Sequence, residues 1–415
     1  MSDKPEIGVI LNPGAKKNKK RPYRKHELKA IVGDRGIVRE TSCIEELEDV
    51  VDEFLETGIK HTQFVGGDGT TQNGITALLN KLAKLNTEKL ARAKRRSPNN
   101  VTNAKIIELP YLHPGNAGTI NFAARLAKVK GTPEYNLKQL VDVCEKNLNF
   151  STFPVQTLEI RTYPKGEPTN LQGREFGFVF GDAAVANFIN KYYGNEETQQ
   201  ARKIWRVLAG LEQKFEKKLL GTEYASKYID KIVQDTFYEI DRPDAIKALR
   251  LIGKSLASFV LRTNYHRELI DPKKATVFVD GETLPYDKFN ILIASAMKIN
   301  VIGFSPFYRL DQRNENSGIH VLAGNMPAFD IAFDFLQTIK PDFEPKNGFK
   351  NCYDGLAKEM IIEVEKGSKY TIDAEIKKAS TVIEIRPGPR LFIPEIYSRG
   401  SADIIDLLKY SLPIL

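Results

Sequence analysis

Ten consecutive residues, Val65-Gly66-Gly67-Asp68-Gly69-Thr70-Thr71-Gln72-Asn73-Gly74, hold the strongest chemical pattern in this 415-residue chain. Gly66, Gly67 and Gly69 let main-chain N–H groups approach an oxyanion without interference from a Cβ. The apolar run His61 to Val65 precedes them, and a helical pattern follows from about Thr71 to Leu85. The loop therefore falls at a strand-to-helix turn, where the helix N-terminus adds positive potential. Asp68 lies inside this cradle and would repel a phosphate. A carboxylate there makes chemical sense if it takes a proton from an attacking hydroxyl or acts through a metal ion. The plainer reading is a glycine-rich turn in which Asp68 only caps the helix, but such a turn does not need so many glycines. Spacing excludes two other loops. Gln72 stands where GxGxxG needs its third glycine, and Gly253-Lys254-Ser255 would need a Walker A glycine where Ala248 stands.

A parallel sheet would position such a loop. Ile7 to Leu11 reads as a strand closed by the turn Asn12-Pro13-Gly14. Gly36 to Arg39 reads as a second strand, leading to Thr41-Ser42, whose hydroxyls can cap the helix marked by Ile44, Leu47, Val50, Val51, Phe54 and Leu55. His61 to Val65 and Ala104 to Leu109 complete a strand-helix-strand alternation. These signals predict an α/β, Rossmann-like parallel-sheet nucleotide-binding domain over residues 1–150. Beyond it, strand-like segments recur near residues 155–161, 175–180, 275–279, 290–294, 318–322, 360–364, 369–372 and 381–385. Short strands separated by turns predict an antiparallel β-rich domain over 151–399, with a helical insertion at about 184–261. A last helix within about 400–415 is expected to pack back on the first domain.

Composition narrows the classes. With 41% hydrophobic and 27% charged residues the chain reads as a soluble globular protein, and no run of about eighteen apolar residues marks a membrane span. The charged N-terminus leads straight into a strand, without the pattern of a secretory signal. Cys43, Cys144 and Cys352 are scattered, and the five histidines form no HExxH, so neither a zinc site nor a disulfide framework is expected, and a cytoplasmic setting is the default. Sixty-one cations against 53 acids give +8, which favours anionic partners. Lys89, Arg92, Lys94, Arg95 and Arg96 concentrate part of that surplus, either as a solvated helix end or as a contact for an anionic membrane surface.

Taken in order, Asn12-Pro13, Gly66-Gly67-Asp68-Gly69-Thr70, Gly118-Thr119-Ile120-Asn121, Phe178 to Ala183 and Ile372-Asp373-Ala374-Glu375 resemble the motifs of the diacylglycerol kinase catalytic-domain superfamily. That group includes bacterial lipid kinases, sphingosine kinases and ceramide kinases. The resemblance implies ATP-dependent phosphorylation of a lipid hydroxyl with Mg²⁺, in a cleft between a nucleotide domain and a β-rich lipid domain. It implies nucleotide contacts from Asn12, Lys16 and Lys17, Thr41, Gly66, Gly67, Gly69, Thr70, Thr119 and Asn121. Asp68 matches the base candidate of sphingosine-type enzymes, and Glu375 matches the proposed base of bacterial diacylglycerol-type enzymes. Asp373 would support Glu375 or the metal. The partner implied is a lipid met at a membrane surface; nucleic acid is not expected, and a homodimer is left open. Asn73, Phe122, Ala374 and Lys16 depart from the family pattern. Asp280-Gly281-Glu282 repeats the late acidic motif but reads as a hairpin turn.

Other residues keep two readings. Asp182 either caps a helix or recognises the acceptor head group. Arg202 and Arg206, beside Trp205, either reach the nucleotide or pack. The aromatic and aliphatic residues of the insertion either fill a core or wall an acyl-chain channel. Two rival functions share the glycine-rich loop: an NAD kinase-like or other soluble-substrate kinase, and a catalytically inactive nucleotide- or lipid-binding protein.

Overall fold

The computed structural model describes residues 5–96, 106–115, 117, 124, 129, 131–193, 269–299, 305–312, 318–327, 330–331, 348–379 and 381–396. The chain divides into two compact units. The first comprises Met1–Glu159, Arg174–Phe178 and Gly388–Leu415, and the second Ile160–Gly173 and Val179–Pro387. The chain thus passes between them four times, where the sequence marks a single change of texture near residue 150.

In the first unit, β1 (Ile7–Leu11), β2 (Gly36–Glu40), β3 (His61–Val65) and β4 (Tyr111–Pro114) form a parallel sheet in the order β2-β1-β3-β4. The fourth strand lies after the expected 104–109 segment, of which residues 106–109 carry no regular structure. Alternation along β1 sends Ile7, Val9 and Leu11 to one face, where they pack with Leu28 and Val32 of α1 (Arg24–Val32) and with Leu137, Leu140 and Val141 of α4 (Pro133–Glu145). The other face takes α2 (Ile44–Thr57) and α3 (Asp68–Arg96). There Gly8 faces the Phe54 ring of α2 and Gly74 of α3 faces the Phe64 ring so closely that a Cβ at either glycine would overlap the ring.

Two local expectations are corrected. Cys43, not a hydroxyl residue, occupies the N-cap of α2 and makes no side-chain cap bond. Glu46 instead accepts the Ser42 amide at 2.6 Å. Helix α3 begins at Asp68 rather than near Thr71. Only Gly66 and Gly67 therefore form the loop, and Asp68, Gly69 and Thr70 make up the first helical turn.

The remaining strands are β5 (Thr152–Tyr163), β6 (Gly173–Gly177), β7 (Val179–Ala183), β8 (Lys273–Lys274), β9 (Thr276–Val279), β10 (Glu282–Thr283), β11 (Lys288–Phe289), β12 (Ile291–Ser295), β13 (Ile319–Gly324), β14 (Cys352–Ala357), β15 (Met360–Glu363), β16 (Lys369–Ile372), β17 (Glu375–Lys378) and β18 (Val382–Pro394). One six-stranded sheet of the second unit runs β14-β13-β12-β7-β16-β17, antiparallel throughout. Another sheet runs β10-β9-β15-β18-β5-β6, and the divisions at 159/160 and 387/388 fall within β5 and β18. The α/β-plus-antiparallel-β class expected from the sequence is the one observed. Helix α5 (Ala184–Tyr193) opens the expected insertion; the rest of the insertion, from 194 to 261, and the 400–415 helix lie outside the described residues.

At the start of β3, His61 Nδ1 and His113 Nε2 meet at 3.1 Å, both buried. Burial pushes the His61 imidazole down to about 4, and burial together with His61 holds His113 well below its ordinary value. The unfolded chain therefore takes up protons, from about pH 6.5 downward, that the folded unit refuses, so stability falls with pH across that window. For His61 alone the loss approaches about 3 kcal/mol near pH 4. Thermal unfolding followed from pH 6.5 to pH 5, above most carboxylate titration, is expected to show a falling midpoint. His61→Asn should flatten that fall, and an unchanged slope in the variant would contradict the assignment.

Candidate active site

The strand order places a topological switch between β1 and β3, because the chain leaves β1 toward β2 and then returns to the other side of β1. Ligands of open α/β sheets bind at such a point, outside the carboxyl ends of the strands. The loops that meet there start at Asn12 and Gly66, two of the segments singled out from sequence.

These loops are tied together. Asn12 Nδ2 donates to Thr70 Oγ1 at 2.9 Å, and Asn12 Oδ1 accepts the Gly14 amide at 2.8 Å. The Asn12 amide itself donates to Val65 O at 3.1 Å. One asparagine thus shapes its own turn and holds the first turn of α3. Gly66 is needed for a packing reason, since a Cβ there would collide with the Thr70 side chain. Its φ is not positive, so close approach rather than left-handed backbone selects glycine. Gly66 and Thr70 are buried, whereas Gly67, Asp68 and Gly69 stay half-exposed. The geometry of a helix N-terminus leaves the Gly69 and Thr70 amides without an intrahelical acceptor, as an anion site requires. Thr41, buried, joins the same edge through its amide bond to Leu11 O at 3.0 Å. Lys16 and Lys17 are exposed on the loop after β1. Gly115, after β4, donates to Phe64 O at 2.7 Å so closely that a Cβ would strike that carbonyl. Thr119 and Asn121 lie outside the described residues.

Beneath the first loop runs a network that sequence reading missed. Asn18, 4% exposed, donates through Nδ2 to Asn12 O at 2.6 Å and to Val65 O at 2.9 Å. Arg24, also 4% exposed, donates to Asn18 Oδ1 at 2.5 Å and to Glu134 Oε1 at 2.6 Å. Burial pushes the Glu134 carboxyl up, but its own backbone hydrogen bond and Arg24 outweigh this and leave it lowered. The only sequence signal was a polar residue inside a lysine run. Asn18→Ala removes both carbonyl contacts and leaves the Arg24 guanidinium short of an acceptor, at a cost of about 1–3 kcal/mol. The denaturant midpoint of the variant should fall by that equivalent, and an unchanged midpoint would show that the network does not hold the loop.

In the second unit, Asp182 lies on β7 and is 1% exposed. Its Oδ2 meets Lys273 Nζ at 2.6 Å and its Oδ1 accepts the Ala183 amide at 2.6 Å. Burial raises its pKa, against the opposing pull of Lys273. The carboxylate therefore holds Lys273 and the end of β7, just before α5 starts at Ala184. Asp373 and Ala374 form a two-residue hairpin between β16 and β17, with φ of 50° and 70°. This is the type I′ pattern, which favours glycine or asparagine. Asp373 accepts the Val179 amide through Oδ1 at 2.8 Å and donates its own amide to Val179 O at 3.0 Å. Glu375, half-exposed, follows at the start of β17 opposite Ile372, which pairs with Phe180. In this register Glu375 is level with a residue two positions from Asp182 along β7.

Asp280-Gly281 has the same positive-φ hairpin form, as expected of it, but Asp280, Gly281 and Glu282 are all exposed, whereas Asp373 is buried. A further cluster joins Asp354 to Arg309 Nε at 2.7 Å, His320 Nε2 at 2.8 Å, the Phe349 amide at 2.9 Å and the Tyr308 hydroxyl. Burial pushes the Asp354 carboxyl up, but these donors outweigh it and hold the group well below the usual carboxylate range. The cluster ties the 308–312 turn to β13 and β14. Among the described residues no group of three His, Cys, Asp or Glu side chains could hold a metal ion, and no helix is long and apolar enough to cross a membrane.

No family model and no curated protein matches the sequence. Solved structures do. A presumed diacylglycerol kinase from Bacillus anthracis str. Sterne aligns over 97% of this chain and 98% of its own, with TM-score 0.51 and 14% identity. A second structure of that description and organism aligns over 95% and 98%, with TM-score 0.50 and 13% identity. The chain shares the fold of these two structures. Yeast NADH kinase complexed with NADH aligns at TM-score 0.39 and 9% identity, over 100% of this chain and 90% of its own, and carries no argument.

Within that fold, Ala374 stands in left-handed backbone that an alanine adopts at a cost. Ala374→Gly should raise the denaturant midpoint by the equivalent of about 1 kcal/mol. A lowered midpoint would mean that the alanine methyl makes a contact worth more than the strain.

Proposed function

We propose that this chain is an ATP-dependent lipid kinase. The observation that supports it most directly is the switch-point cradle, in which Asn12 secures the first turn of α3 and leaves Gly67, Asp68 and Gly69 half-exposed. The triphosphate would lie across the amides of Gly69 and Thr70, with Lys16 and Lys17 toward its anionic oxygens. Thr41 and the 118–121 segment would meet the nucleotide. The acceptor hydroxyl oxygen forms the new bond to the γ-phosphorus as the bond to the β-phosphate oxygen breaks and ADP leaves. The hydroxyl proton passes to the carboxylate of Asp68 or of Glu375. Positioning and electrostatic stabilisation supply most of the rate.

Magnesium is held mainly by substrate phosphates, water and one or two carboxylates. On the cradle, the half-exposed Asp68 is the carboxylate that could share the ion with those phosphates. When bound, the ion would neutralise charge on the β- and γ-phosphate oxygens. A diacylglycerol, a sphingoid base and a ceramide are all admissible acceptors, each presented at a membrane surface.

Radiolabelled ATP offered with diacylglycerol, sphingosine, ceramide or NAD separates the classes. A labelled lipid is the expected product, and labelled NADP or no product would refute the reading. Asp68→Asn should lower kcat by orders of magnitude while ATP still binds, with Glu375→Gln run alongside to decide between the two bases. Full activity in both variants would remove both carboxylates from the chemistry.

A further inference from the structure

Helix α3 spans 29 residues, about 43 Å. Its first half is held by the unit: Ile75, Leu78 and Leu82 are buried, and Lys81 pairs with Asp52 of α2. Asn86 makes the last clamp, exchanging hydrogen bonds of 3.0 and 2.7 Å with the backbone of Ile107. From Thr87 to Arg95 every residue except Ala93 is exposed. Five cations, Lys84, Lys89, Arg92, Lys94 and Arg95, stand on this end against one acid, Glu88, which pairs with Arg92 at 3.6 Å. Leu90 and Ile106, at 40% and 53% exposure, add apolar surface beside them.

The neighbouring helix carries the opposite charge. Residues 45–56 of α2 contain seven acids and no base, and Glu45, Glu46, Glu48, Asp49 and Glu56 are exposed. Parallel strand connections make α2 and α3 run the same way. Lys81 is level with Asp52, so α2 ends near the level of Asn86. The cationic end of α3 projects past its own acidic neighbour and cannot lie along it.

We infer that these two helices form a self-complementary interface between two copies of this chain, the cationic end of α3 in one copy lying along the acidic face of α2 in the other. A two-fold arrangement makes the contact twice and closes the assembly. An anionic bilayer is a poorer occupant, because it would leave the acidic face of α2 without a counter-charge. The interface is rich in exposed charge, so it steers association and weakens with salt. The inference goes beyond the kinase reading and does not depend on it.

Sedimentation velocity on the full chain tests it. The wild type at about 100 μM is expected to be dimeric at low ionic strength and monomeric at about 0.5 M salt. The variant carrying Lys89→Glu, Arg92→Glu, Lys94→Glu and Arg95→Glu should be monomeric. So should the variant carrying Glu45→Lys, Glu48→Lys, Asp49→Lys and Glu56→Lys. An equimolar mixture of the two restores opposite charge at both contacts and should sediment as a dimer. A monomeric wild type, a variant as dimeric as the wild type, or a mixture that stays monomeric would each overturn the inference. So would a monomer that binds phosphatidylglycerol vesicles or duplex DNA through the α3 end. Far-ultraviolet circular dichroism checks the fold, and if either variant unfolds, the corresponding glutamine set must show the same loss of dimer.

Discussion

The site depends on one short contact, the bond from Asn12 to Thr70 across the gap between β1 and β3. Backbone pairing of the two strands ends with the Asn12 amide on the Val65 carbonyl, so beyond that point side chains must hold the loops together. Asn12 bridges them at the side-chain level, and Asn18 repeats the tie from below by donating to the carbonyls of Asn12 and Val65. Gly66 lets the bridge close, because any larger residue would push Thr70 away. This arrangement fixes the first turn of α3, on which the half-exposed Asp68 stands. A glycine-rich segment is flexible when free, and here the flexibility is removed by neighbours distant in sequence.

Much of the cradle was legible in sequence because its parts are local. Glycine spacing after an apolar strand and asparagine-proline after another are signals confined to a few residues, and the strand order then brought them to one switch point. The glycines nevertheless work differently from the simplest expectation. They permit close packing and a helix start at Asp68 instead of an open loop reaching Thr71. Propensity underestimated the helix because glycine disfavours its interior, and tertiary contacts to Thr70 and Phe64 override that cost. Arg24 shows the opposite limit. It reads as one more surface cation, and it is buried only because Glu134 arrives from 110 residues away.

The late acidic motif gives a further lesson in context. Asp280-Gly281-Glu282 and Asp373-Ala374-Glu375 form the same kind of tight hairpin, so shape alone does not separate them. Burial does: Asp373 is buried and Asp280 exposed, although each bonds both polar groups of one backbone residue, Val179 for Asp373 and Glu359 for Asp280. The strained alanine sits in the hairpin whose aspartate is buried. That matches the principle that over-determined surroundings sustain unfavourable backbone.

The polar residues on the inner side of α3 give the winding path of the chain a practical meaning. Gln72 and Thr76 bond the backbone of Phe176, and Asn80 bonds the Arg174 carbonyl, so a strand from beyond residue 170 is stitched along the helix that carries Asp68. The first unit is consequently not a detachable N-terminal module. Cutting the chain near residue 150 would strip three successive helical turns of their hydrogen-bonding mates and bare the apolar wall beneath. Synthesis must run well into the following unit before the first can finish its own architecture.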